Sequence, residues 1–358
     1  MTPPGARRAS PSPMAAPDLA PEDLAVGLDV GGTKTQGVLY GAAGTLATVT
    51  LPTTRGVPGV VGTVVEVTRR LLGQAASRTS GASLWVVGIG IPGVVDTAAG
   101  TVSHGVNLGL DEADVPLARL VGEALGVPAV VANDVTVATL GAARAMGAGD
   151  DVALLSIGTG LAAGLVLDGV TRPGAFHGAG EIGHIPYILD GPVCNCGQRG
   201  CLELYASGSA LARMRPVPEG VAPAVDLFRA VDRGDPAARA AQDRWMDALA
   251  HAVTILCLTV DVPTVLLAGG VTRAGERFLR GLREALGRRA AGSPFLRQVD
   301  LADRLVLVDP DLAVAPLGAC LAAIEAVRAP RPRPEGVRAV AAPAPVRTPS
   351  FRTDPLSR

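Results

Sequence analysis

The chain has 358 residues, a formal net charge of −1, 48% hydrophobic residues and only 3% aromatics. That length suits two domains, with a core built from Val, Leu, Ile and Ala. The near-zero charge offers no electrostatic footprint for nucleic acid or an anionic membrane, and no apolar run of about 20 residues marks a membrane span.

The first 21 residues are rich in Pro and Ala and lack the continuous apolar stretch of a secretory signal. Five cysteines are present, three of them crowded into Cys194, Cys196 and Cys201. A cytoplasmic protein is expected, and in a reducing compartment clustered thiols favour metal over disulfide.

Residues 1–22 read as a disordered tail. "LAVGLDVG" followed by "TQGVLYG" predicts a hairpin with turn residues at Gly41–Gly44, and residues 59–77 carry apolar residues at helical spacing. "LWVVGIGIPG" and "VPAVVAND" read as buried strands, and "DVALLSIGTG" with "LAAGLVLDG" as a second hairpin-like unit. A long helix over 237–258, the strand "TVLLAGG", a helix near 275–290, the strand "RLVLVD" and a last helix near 315–327 complete the order. The alternation predicts an α/β fold. Residues 328–358 mix Pro and Arg with little apolar content and read as a disordered tail.

"GLDVGGTKTQGVLYGAAG" and "LLSIGTGLAAGLVLDGV" share one plan: apolar strand, Gly-Thr turn, Gly-containing strand, polar turn. Two such units suggest similar halves facing a common cleft. In the first, Asp29, Gly31, Gly32, Thr33 and Lys34 form a candidate phosphate cradle, because glycine lets backbone N–H groups approach an anion closely. Asp29 at the strand end is a candidate Mg²⁺ ligand, since hard cations prefer oxygen. Gly158, Thr159 and Gly160 form the second cradle, and Gly270 closes a strand where a nucleoside can lie flat. The pattern is not a P-loop, because Thr-Lys stands where Lys-Ser/Thr is required.

His184 precedes Cys194, Cys196 and Cys201, and three thiols with one imidazole make a complete tetrahedral set for structural zinc. Asn133 and Asp134 end an apolar strand. That position suits a general base toward a hydroxyl, or a helix N-cap, and both readings stay open. Glu181 and Glu203 flank the cysteine-histidine loop, where either a polyhydroxylated ligand or a salt bridge accounts for a carboxylate.

Together these residues resemble the ROK family of repressors and sugar kinases, within the sugar kinase, Hsp70 and actin superfamily. The resemblance rests on "DVGGTK" at 29–34, "GIGIPGVVD" at 88–96, "NL" at 107–108, "ND" at 133–134, "GTG" at 158–160, "GAGEIGH" at 178–184 and "CNCGQRGCLE" at 194–203. It implies a two-domain actin-like (ribonuclease H-like) ATPase fold with an interdomain active-site cleft. Residues 23–132 with helix 315–327 would form the smaller domain, and 133–314, carrying the zinc loop 184–201, the larger. It further implies an ATP- and Mg²⁺-dependent hexose kinase, with glucose the expected acceptor and Asp134 the base. Gly93, Asn107, Asn133, Asp134, Glu181, His184 and Glu203 would hold the sugar. The glycine turns and Gly270 would hold the nucleotide.

After Asn-Asp the family continues with Ala-Asn-Ala-Ala, where this chain has Val135, Thr136, Val137 and Ala138. The aromatic that usually follows Asn-Leu is missing. N-acetylhexosamines and other hexoses therefore stay alternative acceptors, and the choice between ATP and polyphosphate stays open. The family also holds sugar-sensing repressors with an N-terminal winged helix-turn-helix. Here the Asp29 motif follows 28 Pro-rich residues, so an enzyme is expected. Homodimerisation is the base-rate expectation.

Overall fold

The computed structural model describes residues 19–75 and 81–328. The first half runs β1 (Asp23–Val30), β2 (Lys34–Gly41), β3 (Gly44–Pro52), α1 (Val57–Ala75), β4 (Ser83–Ile91), the short pair β5 (Val94–Asp96) and β6 (Thr101–Ser103), α2 (Leu117–Leu125), β7 (Ala129–Asn133) and α3 (Asp134–Met146). The second half runs β8 (Val152–Ile157), β9 (Leu161–Leu167), β10 (Val170–Thr171), α4 (Glu203–Ala206), α5 (Gly208–Met214), α6 (Pro223–Asp232), α7 (Pro236–Thr259), β11 (Thr264–Ala268), α8 (Glu276–Ala291), α9 (Pro294–Val299), β12 (Leu305–Leu307) and α10 (Val314–Arg328).

The two halves repeat one topology. The first sheet has the order β3-β2-β1-β4-β7 and the second β10-β9-β8-β11-β12. In each, the first three strands are antiparallel and the last two join in parallel. The Gly-Thr turns of the internal echo sit at equivalent places, between β1 and β2 and between β8 and β9. The architecture is the mixed α/β, actin-like fold expected from the motifs.

The turn at Gly41–Gly44 joins β2 to β3 rather than β1 to β2, whose turn is Gly31–Thr33. Strand β3 went unread because only Val49 of its nine residues is buried, so it carries little hydrophobic signal. Leu19, assigned to the N-terminal tail, is buried in a cluster with Ala25, Val86, Cys320, Ala323 and Ile324. Of the other residues read as tail, 20–22 lead into β1 and Arg328 is the last residue of α10, while 1–18 and 329–358 lie outside the described residues.

Helices α3 and α10 lie between the sheets. Helix α10 packs on β1 and β4, and α3 packs on β8 and β9, so each crosses from the sheet it follows to the other half. α10 is apolar on nearly every side, as a helix buried on two faces must be. The two helices touch backbone to backbone. A Cβ on Gly141 would collide with the Val314 carbonyl oxygen, and one on Gly318 with the Val137 carbonyl oxygen. Gly27 and Gly88 give the same clearance where α10 meets the first sheet.

Local signals set the helix ends. Asp235 caps α7, accepting from the N–H groups of Ala237 at 2.9 Å and Ala238 at 3.1 Å, with Pro236 at the first helical position. From α7 the buried Trp245 donates its indole N–H to the Ala206 carbonyl at 3.0 Å, which ties down the short helix carrying Glu203. Replacing Gly318 with Ala is expected to destabilise the protein by about 2–3 kcal/mol, because the added methyl meets backbone that has no rotamer to shift. Denaturant unfolding of the variant beside wild type checks this, and equal midpoints would contradict the close contact.

Candidate functional site

A cleft cavity of about 640 Å³ opens where the turns of both halves converge. Gly93 reaches it from the end of β4, Asn133 and Asp134 from the start of α3, Gly158–Gly160 from the β8–β9 turn, and Glu181, His184 and Glu203 from the loop after β10. Six of the seven acceptor residues expected from the motifs thus line one cavity. Asn107 does not: it is exposed and lies against Gly32, where an added Cβ would come within 3.0 Å of the Asn107 carbonyl oxygen.

The open choice at Asn-Asp resolves into two roles. Asn133 is the N-cap of α3, its Oδ1 accepting from the N–H groups of Val135 at 3.0 Å and Thr136 at 3.1 Å. Its Nδ2 donates to the Gly93 carbonyl at 3.4 Å and so ties the β4 loop to the helix. Asp134, the first helical residue, is left facing the cavity. One carboxylate oxygen accepts from the Val135 N–H at 2.9 Å. Burial pushes its carboxyl above the ordinary range, against the backbone hydrogen bonds, and the nearby Glu181 adds to the rise.

Asp29 sits on β1 beside Gly90 of β4. Burial, with Asp134 next in effect and Lys34 opposing, raises its carboxyl from 3.8 to about 6. Two carboxylates pressed together in this way suit a hard dication. The adjoining turn is closed by the Gly31 N–H donating to the Lys34 carbonyl at 3.0 Å. Thr33 and Lys34 project from it exposed, and Lys34 is the only lysine in the chain. These first-turn residues line neither this cavity nor the next.

A second pocket of about 520 Å³ adjoins the first and shares Gly158 and Thr159 with it. Gly208, Ser209, Pro223, Gly270, Val271 and Arg273 are among its walls. The Gly208 N–H donates to the Gly158 carbonyl at 2.8 Å, which fixes the turn against α5.

The loop from His184 to Cys201 gathers its four candidate ligands. One atom from each of His184, Cys194, Cys196 and Cys201 lies within 4.8 Å of the others. Cys196 Sγ is 3.6 Å from Cys201 Sγ, and His184 Nδ1 is 3.8 Å from Cys194 Sγ. With zinc–sulfur bonds of ~2.3 Å, a tetrahedral site sets its sulfurs ~3.8 Å apart, so the donor set fits. Burial pushes the Cys194 thiol up to about 12, and a dication among the sulfurs would make thiolates tenable there. His184 Nε2 points the other way, 3.9 Å from Glu181 Oε2. Glu203 Oε1 is 3.8 Å from His184 Nδ1 and accepts from the Cys194 thiol at 3.1 Å.

Among the cavity-wall residues that sequence reading did not assign to the site are His104, Phe176 and His177. Three of the four histidines in the chain line this one cavity, a gathering that only the fold reveals. Phe176 is 91% exposed, with its ring at the cavity mouth.

The sequence pattern of the ROK family matches residues 25–304. A glucokinase of Halalkalibacterium halodurans is 33% identical over 298 residues, covering 75% of this chain and 88% of the relative. The structure resembles that of a ROK hexokinase from Thermus thermophilus, at 30% identity and a TM-score of 0.70, covering 85% of this chain and 99% of that one. It also resembles a ROK glucokinase from Streptomyces griseus solved with glucose and AMPPNP, at 29% identity and a TM-score of 0.66, covering 84% of this chain and 99% of that one.

Because the Asp29 carboxyl is raised, the folded state holds its proton more tightly than the unfolded state does. Stability is therefore lost as pH climbs from near 4 to about 6, and the loss is complete above that. Asp29→Asn is expected to raise the melting temperature at pH 7.5 in Mg²⁺-free buffer but not at pH 4.5. Equal shifts at both pH values would contradict the raised Asp29 carboxyl.

Proposed function

The chain belongs to the ROK family and is a sugar phosphotransferase, and we propose that it moves the γ-phosphoryl group of ATP to a hydroxyl of a hexose, glucose foremost, with Asp134 as general base. The observation that carries this reading is the junction of two cavities at one Gly-Thr turn: a carboxylate-lined chamber on one side and a glycine-rich slot on the other.

The acceptor chamber suits a polyhydroxylated ring. Asn133, Glu181, His184 and Glu203 offer hydrogen-bonding groups on several sides, while Asp134 stands at its floor. Asp134 accepts the proton of the attacking hydroxyl. The Val135 N–H engages one of its oxygens and leaves the other for the substrate. A carboxyl held above the ordinary range takes a proton more readily at neutral pH, which favours base catalysis.

Gly158, Thr159 and Gly160 with Gly31, Gly32, Thr33 and Lys34 would cradle the phosphates, and Gly270 would lie along the nucleoside. Mg²⁺ held near Asp29 would neutralise charge developing on the transferred group. Zinc held by His184 Nδ1 and the three thiolates would take no part in transfer, since four protein ligands close its coordination. Its effect is positional, fixing the loop that presents Glu181, Glu203 and the free His184 nitrogen. Residues 23–132 with 315–327, and 133–314, would act as two domains that close over the substrates and keep water from the phosphoryl group.

Asp134→Asn is expected to lower kcat by about 10³-fold or more, with the glucose Kd changed by about threefold at most. A coupled ADP-release assay and calorimetry check this, and turnover near wild type would refute the general-base role. Metal analysis of the purified protein is expected to find one zinc per chain. Cys201→Ser is expected to lose the zinc and to melt at least about 5 °C lower. A zinc-free wild type would reject the site.

A further inference from the structure

A third cavity, of about 320 Å³, lies between the two halves. Its walls include Val137 and Leu140 of α3, Ala163 of β9, and Ala322 and Ala326 of α10. Methyl groups make up much of the lining, broken by the hydroxyls of Thr97, Thr136 and Thr171 and by Glu325, whose carboxylate accepts from Arg144 at 3.3 Å. Five residues face both this chamber and the acceptor cavity: Asn133, Val135, Ala162, His177 and Glu181.

Four of the five have other employment or little bulk. Asn133 is committed to the α3 cap, Ala162 is a small strand residue, Val135 is held in the first turn of α3, and Glu181 belongs to the acceptor set. His177 is different. Its backbone is left-handed, with φ at +58°, a conformation that strains a residue with a Cβ. Its Nδ1 is buried and has no hydrogen-bond partner among the described residues. Strain and an orphaned polar atom on a ring between two cavities point to a ligand contact.

Resting on the hexose-kinase reading, we propose that His177 is a specificity gate: its imidazole hydrogen-bonds an acceptor hydroxyl, and its ring closes the interdomain chamber to sugars bearing a bulky substituent at that position. The chamber behind it suits an acylamino group, since methyl walls fit the acyl tip and the threonine hydroxyls fit the amide. With the ring in place, that space is denied and an unsubstituted hexose is selected.

The test compares wild type, His177→Ala and His177→Asn in ADP-release assays with glucose and with N-acetylglucosamine, alongside thermal denaturation. His177→Ala is expected to raise the glucose KM about 5–10-fold, as for one lost hydrogen bond, with kcat within about threefold. Its kcat/KM for N-acetylglucosamine relative to glucose is expected to rise at least about tenfold, because the wall is gone. His177→Asn keeps a hydrogen-bonding group and tolerates the left-handed backbone, so its glucose KM is expected within about threefold of wild type.

An unchanged KM with an unchanged sugar preference would overturn the gate. So would an equal fall in kcat on both sugars together with a lower melting temperature, which marks a structural residue. A wild type that already prefers the acetylated sugar overturns the gate while leaving kinase activity standing. A wild type inactive on every hexose rejects the functional reading itself, and the gate with it.

Discussion

The backbone contact between α3 and α10 is the constraint on which the rest of the molecule depends. Gly141 and Gly318 let the two helices approach until main chain meets main chain, and any side chain there would force them apart. Each helix starts at the end of one sheet and packs on the other, so the contact fixes both halves at once. Because α3 begins at the last residue of β7 and leans on β8 and β9, its first residue must lie where the halves face each other. Asp134 is that residue. Its partial burial and raised carboxyl follow from the placement, not from any feature of the aspartate itself.

The second constraint is the gathering of negative charge. Asp134, Glu181 and Glu203 line the acceptor cavity, Asp29 is close enough to Asp134 to feel its charge, and among the described residues no arginine or lysine lines that cavity. Burial is the main cause of the raised Asp29 and Asp134 carboxyls, and the neighbouring carboxylates, Asp134 for Asp29 and Glu181 for Asp134, add to the rise. Such an arrangement is costly unless cations share the space. A dication near Asp29 and another in the cysteine-histidine loop would each offset part of that cost. The same cations would serve function, one at the phosphates and one in holding the acceptor loop.

Much of this was legible in the sequence because the signals are local. A Gly-Thr turn after an apolar strand, a CxC…C cluster ten residues after a histidine, and an Asn-Asp pair at a strand end each carry their chemistry within a few residues. The repeated plan of the two turns even anticipated the matching sheet orders. What sequence reading missed is long-range. Gly141 and Gly318 lie 177 positions apart, and nothing near either marks it as one half of a helix crossing. Asn107 was grouped with the sugar residues by motif, yet it lies against the first glycine turn. His104 and His177 were overlooked because a lone histidine in a loop has no pattern. Only their left-handed backbones and their place in one cavity give them meaning.

The crossing of α3 and α10 would deliver Asp134 to the reacting hydroxyl. A crystal structure of the protein with glucose, Mg²⁺ and a non-hydrolysable ATP analogue tests this most directly. One sugar hydroxyl is expected at about 2.6–3.2 Å from the Asp134 carboxylate, with the γ-phosphoryl on its far side. Glucose bound with Asp134 remote from every hydroxyl, or outside the cavity lined by Glu181 and His184, would contradict it.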